Sequence, residues 1–303
     1  MRLGVDIGGT KTEAVAVDDS GAIVERLRLR TGFGHAAVAQ TATDAITGVA
    51  RLCEIPPDGF ESIGIGIPGV VDPRSGQVSH AVNLGVDGLL LGDLIHERLG
   101  VEVRIDNDVT VAALGIYQHL APGSPMGYLN LGTGLAAGVV VDGRPWRGAR
   151  GGSGEIGHLP VDPGGELCRC GQRGCLETVA SGSGIARQWP TDDPHPVRAL
   201  FAAADTGDER AAAIRSRLAA GVASAVRILV LTVDVETVVI GGGLSHLGEP
   251  LLADIRQALA HWAAGSTFFA SLDLPSRVEL VPQGFPAAAV GAALNSGRDF
   301  ALL

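Results

Sequence analysis

The sequence predicts an α/β chain of two duplicated lobes, and three observations carry that prediction. Short apolar runs with strand spacing alternate with helical stretches along nearly the whole chain. A strand, a turn of small residues and a second strand occur at Val5-Asp6-Ile7-Gly8-Gly9-Thr10 and again at Leu131-Gly132-Thr133-Gly134. An echo at a spacing of about 125 residues points to an internal repeat, here a βββαβαβα unit used twice. Composition agrees. The 303 residues accommodate two domains, 46% are hydrophobic and only 4% aromatic, so the core must be built mainly from Ala, Val, Leu and Ile.

Taken in order, Leu3–Ile7 reads as a buried strand interrupted by Asp6, Gly8–Thr12 as a turn, and Glu13–Asp18 and Ala22–Arg30 as alternating strands. The glycines therefore sit in a hairpin, unlike those of Rossmann and P-loop sites, which lead into a helix. Hairpin glycines still let amides approach a phosphate, and an ordinary turn accounts for them equally well. His35–Cys53 has helical spacing, with Cys53 a small core residue near its end. Pro56-Pro57-Asp58-Gly59 stops that helix, and Ser62–Ile67 is the next strand, ended by Pro68-Gly69. Residues 72–76 suggest a second hairpin. Asn83 follows in a loop, as a turn residue or a ligand donor. Leu91–Leu99 is a short helix, Val101–Ile105 a strand and Val109–His119 a helix. Asp106-Asn107-Asp108 stand at that strand-to-helix junction, where open α/β sheets place ligands. A helix cap needs one such residue, not three.

In the second half, Met126–Leu131 and Leu135–Val141 are strands around the second turn. Residues 178–203 form a helical region interrupted by Pro190, Pro194 and Pro196, with His195 a solvated loop residue. Asp208–Val233 is a long Ala-rich helix, Val235–Ile240 a strand, and Gly241-Gly242-Gly243 a third glycine turn. Helix Glu249–Ala264, strand Arg277–Pro282 and helix Pro286–Ser296 close the chain. The expected division is a small lobe over 1–120, completed by a C-terminal helix in 286–303, and a larger lobe over 121–285.

The net charge of −10 argues against a general nucleic-acid binder. Asp6, Lys11 and Glu13 interrupt any leader-like run at the start. Arg227, Asp234 and Glu236 break the apolar region 218–240, below the ~18–20 residues of a membrane span. The expectation is a cytoplasmic protein with no membrane partner, in which clustered thiols mean metal more often than disulfides. Three of the four cysteines fall together. His158, Cys168, Cys170 and Cys175 offer one imidazole and three thiolates, the donor set of a closed tetrahedral structural zinc site over 158–175. Two acids, Glu155 and Glu177, flank it.

Asp6-Ile7-Gly8-Gly9-Thr10-Lys11, Leu131-Gly132-Thr133-Gly134 and Gly241-Gly242-Gly243 resemble the three nucleotide-binding turns of the actin/hexokinase/Hsp70 ATPase fold. The segments Gly154-Glu155-Ile156-Gly157-His158 and Cys168-Arg169-Cys170-Gly171-Gln172-Arg173-Gly174-Cys175-Leu176-Glu177 resemble the signature of the ROK family of repressors and sugar kinases. The resemblance spans essentially the whole chain. It implies two ribonuclease H-like lobes around a central cleft and ATP-dependent phosphorylation of a hexose, most similar to the glucokinases. By register with that family Asp108 is the base for the attacking hydroxyl; by chemistry alone Asp106 rivals it. Asp6 would orient Mg²⁺ through water. Gly8, Gly9, Thr10 and Lys11, with Gly132, Thr133 and Gly134, would bind phosphate, and Gly241, Gly242 and Gly243 the adenosine part. Asn83, Asn107, Asp108, Glu155, His158 and Glu177 would hold the sugar, and zinc would brace His158.

A homodimer or homotetramer is implied. An N-acetylhexosamine or another hexose, and polyphosphate as donor, stay open as alternatives. Val86 stands where glucokinase-like relatives often carry an aromatic residue, which weakens the case for glucose. With Trp146 the one aromatic residue near the motifs, polar contacts are expected to dominate the sugar site. A sugar-responsive repressor is disfavoured, because the first turn begins at Asp6 with no winged-helix segment ahead of it.

Overall fold

The structure, a computed structural model, describes residues 1–72, 75–120, 123–149 and 151–295. The chain forms two compact units. The first holds Met1–Gly123, Gly138–Ser153 and the residues from Gly284 onward; the second holds Ser124–Ala137 and Gly154–Gln283.

The first unit is built on a five-stranded sheet of β1 (Arg2–Ile7), β2 (Lys11–Val17), β3 (Ile23–Arg30), β4 (Ser62–Ile67) and β8 (Arg104–Asn107), in the order β3-β2-β1-β4-β8. β1 and β2 pair antiparallel, as do β2 and β3, whereas β1, β4 and β8 run parallel. The small strands β5 (Val70–Val71), β6 (Gln77–Ser79) and β7 (Leu89–Leu90) form a separate antiparallel sheet. Residues 73–74 of the expected hairpin lie outside the described residues. Leu3, Val5 and Ile7 alternate with polar or glycine positions, so one face of β1 is apolar. Helix α1 (His35–Leu52) covers that face with Val38, Ala42, Ala45, Ile46 and Val49, all at helical spacing. α2 (Leu91–Leu99) adds Leu91 and Ile95 to the same core. The other face carries α9 (Ala287–Asn295), whose Ala289, Val290 and Ala293 pack on Val15 and Val17. α3 (Asp108–Leu120) packs against α9, and Gly115 and Gly291 let the two helices approach closely, since a Cβ at either would collide with the backbone of the other helix. The expected closing helix beyond Asn295 lies outside the described residues.

The second sheet contains β9 (Met126–Leu131), β10 (Leu135–Val141), β11 (Arg144–Pro145), β12 (Thr237–Gly241) and β13 (Val278–Leu280), in the order β11-β10-β9-β12-β13. β12 runs parallel to both β9 and β13. This order repeats that of the first sheet position by position, which is the duplication read from the sequence. In the second unit α4 (Gly182–Gln188), α5 (Pro196–Asp205), α6 (Glu209–Val233), α7 (Glu249–Ala264) and α8 (Thr267–Ser271) supply the helices. α6 buries Ile214, Leu218, Val222, Val226 and Leu229 along one stripe. Its length and composition would allow it to cross a membrane, but half of its most apolar window is buried inside the fold. Arg227 on this helix lies over the Trp262 ring of α7, at 4.5 Å.

Two expectations are corrected, and one helix was not anticipated. β8 starts at Arg104 rather than Val101, because parallel pairing sets Gly66 against Asp106 and Ile67 against Asn107. Pro196 starts α5 at its first turn rather than interrupting a helix. α8, too short to show a period, begins where the Ser266 hydroxyl accepts the Phe269 amide at 3.3 Å.

Candidate active site and metal centre

In the first unit the candidate groups gather at the carboxyl ends of β1 and β8. Asp6 stands on β1 opposite Glu13 of β2 and beside Gly66 of β4. Gly66 in turn faces Asp106. A Cβ at Gly66 would fall 2.6 Å from Val111 and 3.4 Å from the Asp108 Cα. That glycine is what lets the start of α3 settle onto the strand ends. Asp6 consequently lies in the field of Asp108. Its carboxyl is pushed from an ordinary 3.8 up to about 8, first by burial, then by Asp108 and Glu13, with Lys11 pulling it down. A half-buried acid crowded by two others is a place short of positive charge, and its oxygen donors suit a hard cation such as Mg²⁺.

Asp108 is the first residue of α3, with Oδ1 accepting the Val109 amide at 2.9 Å. Asn107 caps the same helix. Its Oδ1 accepts the amides of Val109 and Thr110 at 2.9 and 3.1 Å, and its Nδ2 donates to the Gly69 carbonyl at 3.0 Å. Asp106 turns away from both into a buried network. Its Oδ2 accepts Arg147 Nη2 at 2.6 Å, Arg147 Nε at 3.0 Å and Asn295 Nδ2 at 2.8 Å. Asn295 Oδ1 also accepts from Arg147 Nη2 at 2.9 Å. Asp106 is 8% exposed and its charge is committed. Of the two candidate bases, Asp106 is the one whose carboxylate is held by the Arg147 guanidinium.

The first glycine turn closes through the Gly8 amide, which donates to the Lys11 carbonyl at 3.0 Å. Gly9, Thr10 and Lys11 are exposed. Asn83 lies over this turn, since a Cβ on Gly9 would be 3.4 Å from that of Asn83. Asn83 sits in a one-turn 3₁₀ segment, Val82–Leu84, ended by left-handed Gly85. Against Gly85 lies Phe33, 74% exposed; a Cβ at Gly85 would fall 2.5 Å from its ring. An aromatic face therefore does flank the Asn83 turn, from a loop 50 residues earlier in sequence. Only its exposure, visible in three dimensions, reveals it.

In the second unit the metal-binding donors converge. One ligand atom from each of His158, Cys168, Cys170 and Cys175 lies within 4.8 Å of all the others. Cys170 Sγ and Cys175 Sγ are 3.6 Å apart, and Cys168 Sγ is 3.7 Å from His158 Nδ1. Tetrahedral Zn–S bonds of about 2.3 Å put sulfurs about 3.8 Å apart, so the donors fit zinc by identity and spacing. The loop is folded by its own backbone. The Cys168 amide donates to the Gln172 carbonyl at 2.8 Å and the Gly174 amide to Glu166 at 2.9 Å. Nδ1 of His158 faces the thiols, which leaves Nε2 for another partner.

Glu155 lies in the fields of both His158 and Glu177. Burial raises the Glu155 carboxyl above its ordinary value; His158 opposes the rise and Glu177 adds to it. Glu177 also reaches the second glycine turn. Its Oε2 accepts the Leu135 amide at 3.1 Å, and a Cβ at Gly134 would fall 2.5 Å from the same oxygen. The turn's carbonyls at Gly132 and Thr133 accept the amides of Gly182 and Ser183 at 2.9 and 3.0 Å, at the start of α4. Gly241 and Gly242 press on β9, with a Cβ at Gly242 2.5 Å from the Leu131 carbonyl. The second and third glycine turns are thus contiguous.

The chain is similar to known proteins over nearly its whole length. The profile of the ROK family matches residues 2–294. A glucokinase from Halalkalibacterium halodurans is 35% identical over 292 residues, covering 88% of each chain. An N-acetylmannosamine kinase from Citrobacter koseri is 34% identical over 264 residues, 85% of this chain and 88% of that one. The crystal structure of a ROK family glucokinase from Streptomyces griseus, in complex with glucose and AMPPNP, superposes with a TM-score of 0.80 at 29% identity, covering 97% of this chain and 98% of that one. With the duplicated sheets, the three glycine turns and the Cys/His loop all in family order, the chain belongs to the ROK family and has the actin/hexokinase ATPase fold.

Proposed function

We propose that the chain is a sugar kinase that transfers the terminal phosphoryl group of ATP to a hexose hydroxyl, with glucose as the first candidate. The observation that carries this reading is the placement of Asp108, at the start of α3, against Gly66, which pairs with Asp6 of β1 beside the first glycine turn. The hydroxyl oxygen attacks the γ-phosphorus as the bond from that phosphorus to the β,γ-bridging oxygen breaks. ADP leaves with that oxygen, and the hydroxyl proton passes to the Asp108 carboxylate. Asn83, Glu155, Glu177 and His158 Nε2 orient the sugar, and Asn107 holds the base's turn while keeping one amide hydrogen for the sugar. Gly8, Gly9, Thr10, Lys11, Gly132, Thr133 and Gly134 take donor phosphates, and Gly241–Gly243 the adenosine part. Asp6 would hold Mg²⁺ through water, and the ion would neutralise charge on the polyphosphate. Zinc, held by His158 Nδ1, Cys168, Cys170 and Cys175, supplies rigidity to the loop that carries His158.

A second reading, an N-acetylhexosamine kinase, is supported by the similarity to the N-acetylmannosamine kinase and by Val86. A coupled assay with glucose, mannose, fructose, allose, N-acetylglucosamine and N-acetylmannosamine, each against ATP and inorganic polyphosphate, decides. The expected result is turnover with ATP and the highest kcat/KM for glucose. Turnover with no sugar under either donor would overturn the kinase reading.

A further inference from the structure

The β2–β3 hairpin carries a concentration of positive charge that the assignments above leave unused. Register pairs Lys11 with Arg30, Glu13 with Arg28 and Val15 with Arg26, so all six side chains share one face of the sheet. Glu13 is the one carboxylate that the hairpin itself places on this face, and it is already engaged; Asp6 of β1 shares the face and lies in the field of Lys11. It accepts Arg28 Nε at 2.7 Å and Arg26 Nε at closer range. That leaves Lys11 and Arg30 directly opposite each other, both exposed. Among the described residues neither has a carboxylate at ion-pair distance. Like charges across an antiparallel pair are unfavourable, and the chain as a whole carries a net charge of −10. The pair is also held at one place. The Thr31 amide donates to the Thr10 carbonyl at 3.2 Å, and the Thr12 and Thr31 hydroxyls are 2.9 Å apart. Arg30 is therefore pinned beside the Gly8–Thr10 turn rather than free along an edge.

We propose that Arg30 is a phosphate-binding residue that forms, with Lys11, a two-cation seat for the polyphosphate chain of the phosphoryl donor. The inference rests on reading the Gly8–Lys11 turn as a phosphate turn. Lysine supplies a compact charge and arginine a planar fork for two phosphate oxygens. The ligand chemistry is a linear polyphosphate, whether borne by a nucleoside or inorganic. Arg28 and Arg26 are outside the seat, because Glu13 holds them.

Lys11 is the chain's single lysine, which gives a direct test. Reductive dimethylation with ¹³C-formaldehyde preserves the positive charge and labels two amines, Lys11 and the Met1 terminus. Lys11→Arg assigns the two resonances by removing one. The labelled full chain is titrated with inorganic tripolyphosphate in one arm and ATP in the other, without sugar, and the titrations are repeated in Arg30→Gln and Arg30→Lys. The Lys11 resonance is expected to shift saturably. Arg30→Gln is expected to raise the tripolyphosphate Kd about tenfold, and Arg30→Lys to fall between that variant and the wild type. A matching loss for ATP assigns the seat to both donors; a loss confined to tripolyphosphate assigns it to the inorganic chain. Arg30 is exposed, and circular dichroism checks that the variants fold. An unmoved Lys11 resonance, or equal affinities in wild type and Arg30→Gln, overturns the inference. Sugar turnover by the wild type, measured separately, would leave the kinase reading standing in that case.

Discussion

Asp106 and Arg147 form a forked pair in which one carboxylate oxygen, Oδ2, accepts Nη2 at 2.6 Å and Nε at 3.0 Å from the same guanidinium. The two residues come from separate segments of the first unit, and Asn295 of α9 joins them. The pair bolts the residue two before the candidate base to the strand-following segment 138–153 and to the last described turn of α9. Asp106 Oδ1 completes the arrangement by accepting the Asn107 amide at 2.9 Å.

Arg147→Met should therefore destabilise the protein by about 3–5 kcal/mol, because it leaves the Asp106 charge buried without its guanidinium partner. Urea unfolding measures this. Asp106→Asn combined with Arg147→Met should recover part of the loss, since no charge is then stranded. An additive double variant would contradict the pairing.

Glu13 gives a pH signature. Burial pushes its carboxyl up, but hydrogen bonds from Arg26 and Arg28 outweigh burial and hold it below its ordinary 4.5. A depressed carboxyl stabilises the fold fully above the unfolded value, and that stability is lost as pH falls through the folded one. Glu13→Gln should cost about 1–3 kcal/mol at pH 7, and the gap from wild type should close below pH 4.5. Unfolding midpoints across pH 3–7, on the order of one measurement per half unit, check the sign. A gap that widens towards acid would contradict it.

The duplicated sheets, the glycine turns and the cysteine loop were legible in the sequence because each is local. Strand period, Asp-Ile-Gly-Gly-Thr and four metal ligands within one loop all declare themselves over short stretches. The Asp106–Arg147–Asn295 network was not, since its members are separated by 41 and 189 residues and follow no periodicity. Phe33 was hidden for the same reason: nothing in its neighbourhood marks it, and only folding brings its ring against Gly85. Pro196 was misread because proline breaks a helix interior and starts a helix equally well.

The metal centre predicts one zinc per chain by elemental analysis, lost in Cys175→Ser. Removal of the metal should lower Tm by about 5–10 °C and weaken sugar binding through His158. Normal Tm and sugar affinity in metal-free protein would show that the donors do not brace the loop.

Phe33→Ala should raise the KM for the sugar about three- to tenfold with little change in kcat, as expected for loss of an apolar face that contacts substrate and transition state alike. Because Phe33 is 74% exposed, Tm should stay close to the wild-type value. An unchanged KM would remove Phe33 from the sugar site.

The central claim is that Asp108, and not Asp106, accepts the hydroxyl proton. Its most direct test is single-turnover phosphoryl transfer from ATP to the best sugar in Asp108→Asn, with nucleotide binding measured in parallel. The expected rate is lower by about 10²–10⁴-fold, with nucleotide affinity retained. A rate within tenfold of wild type would contradict it.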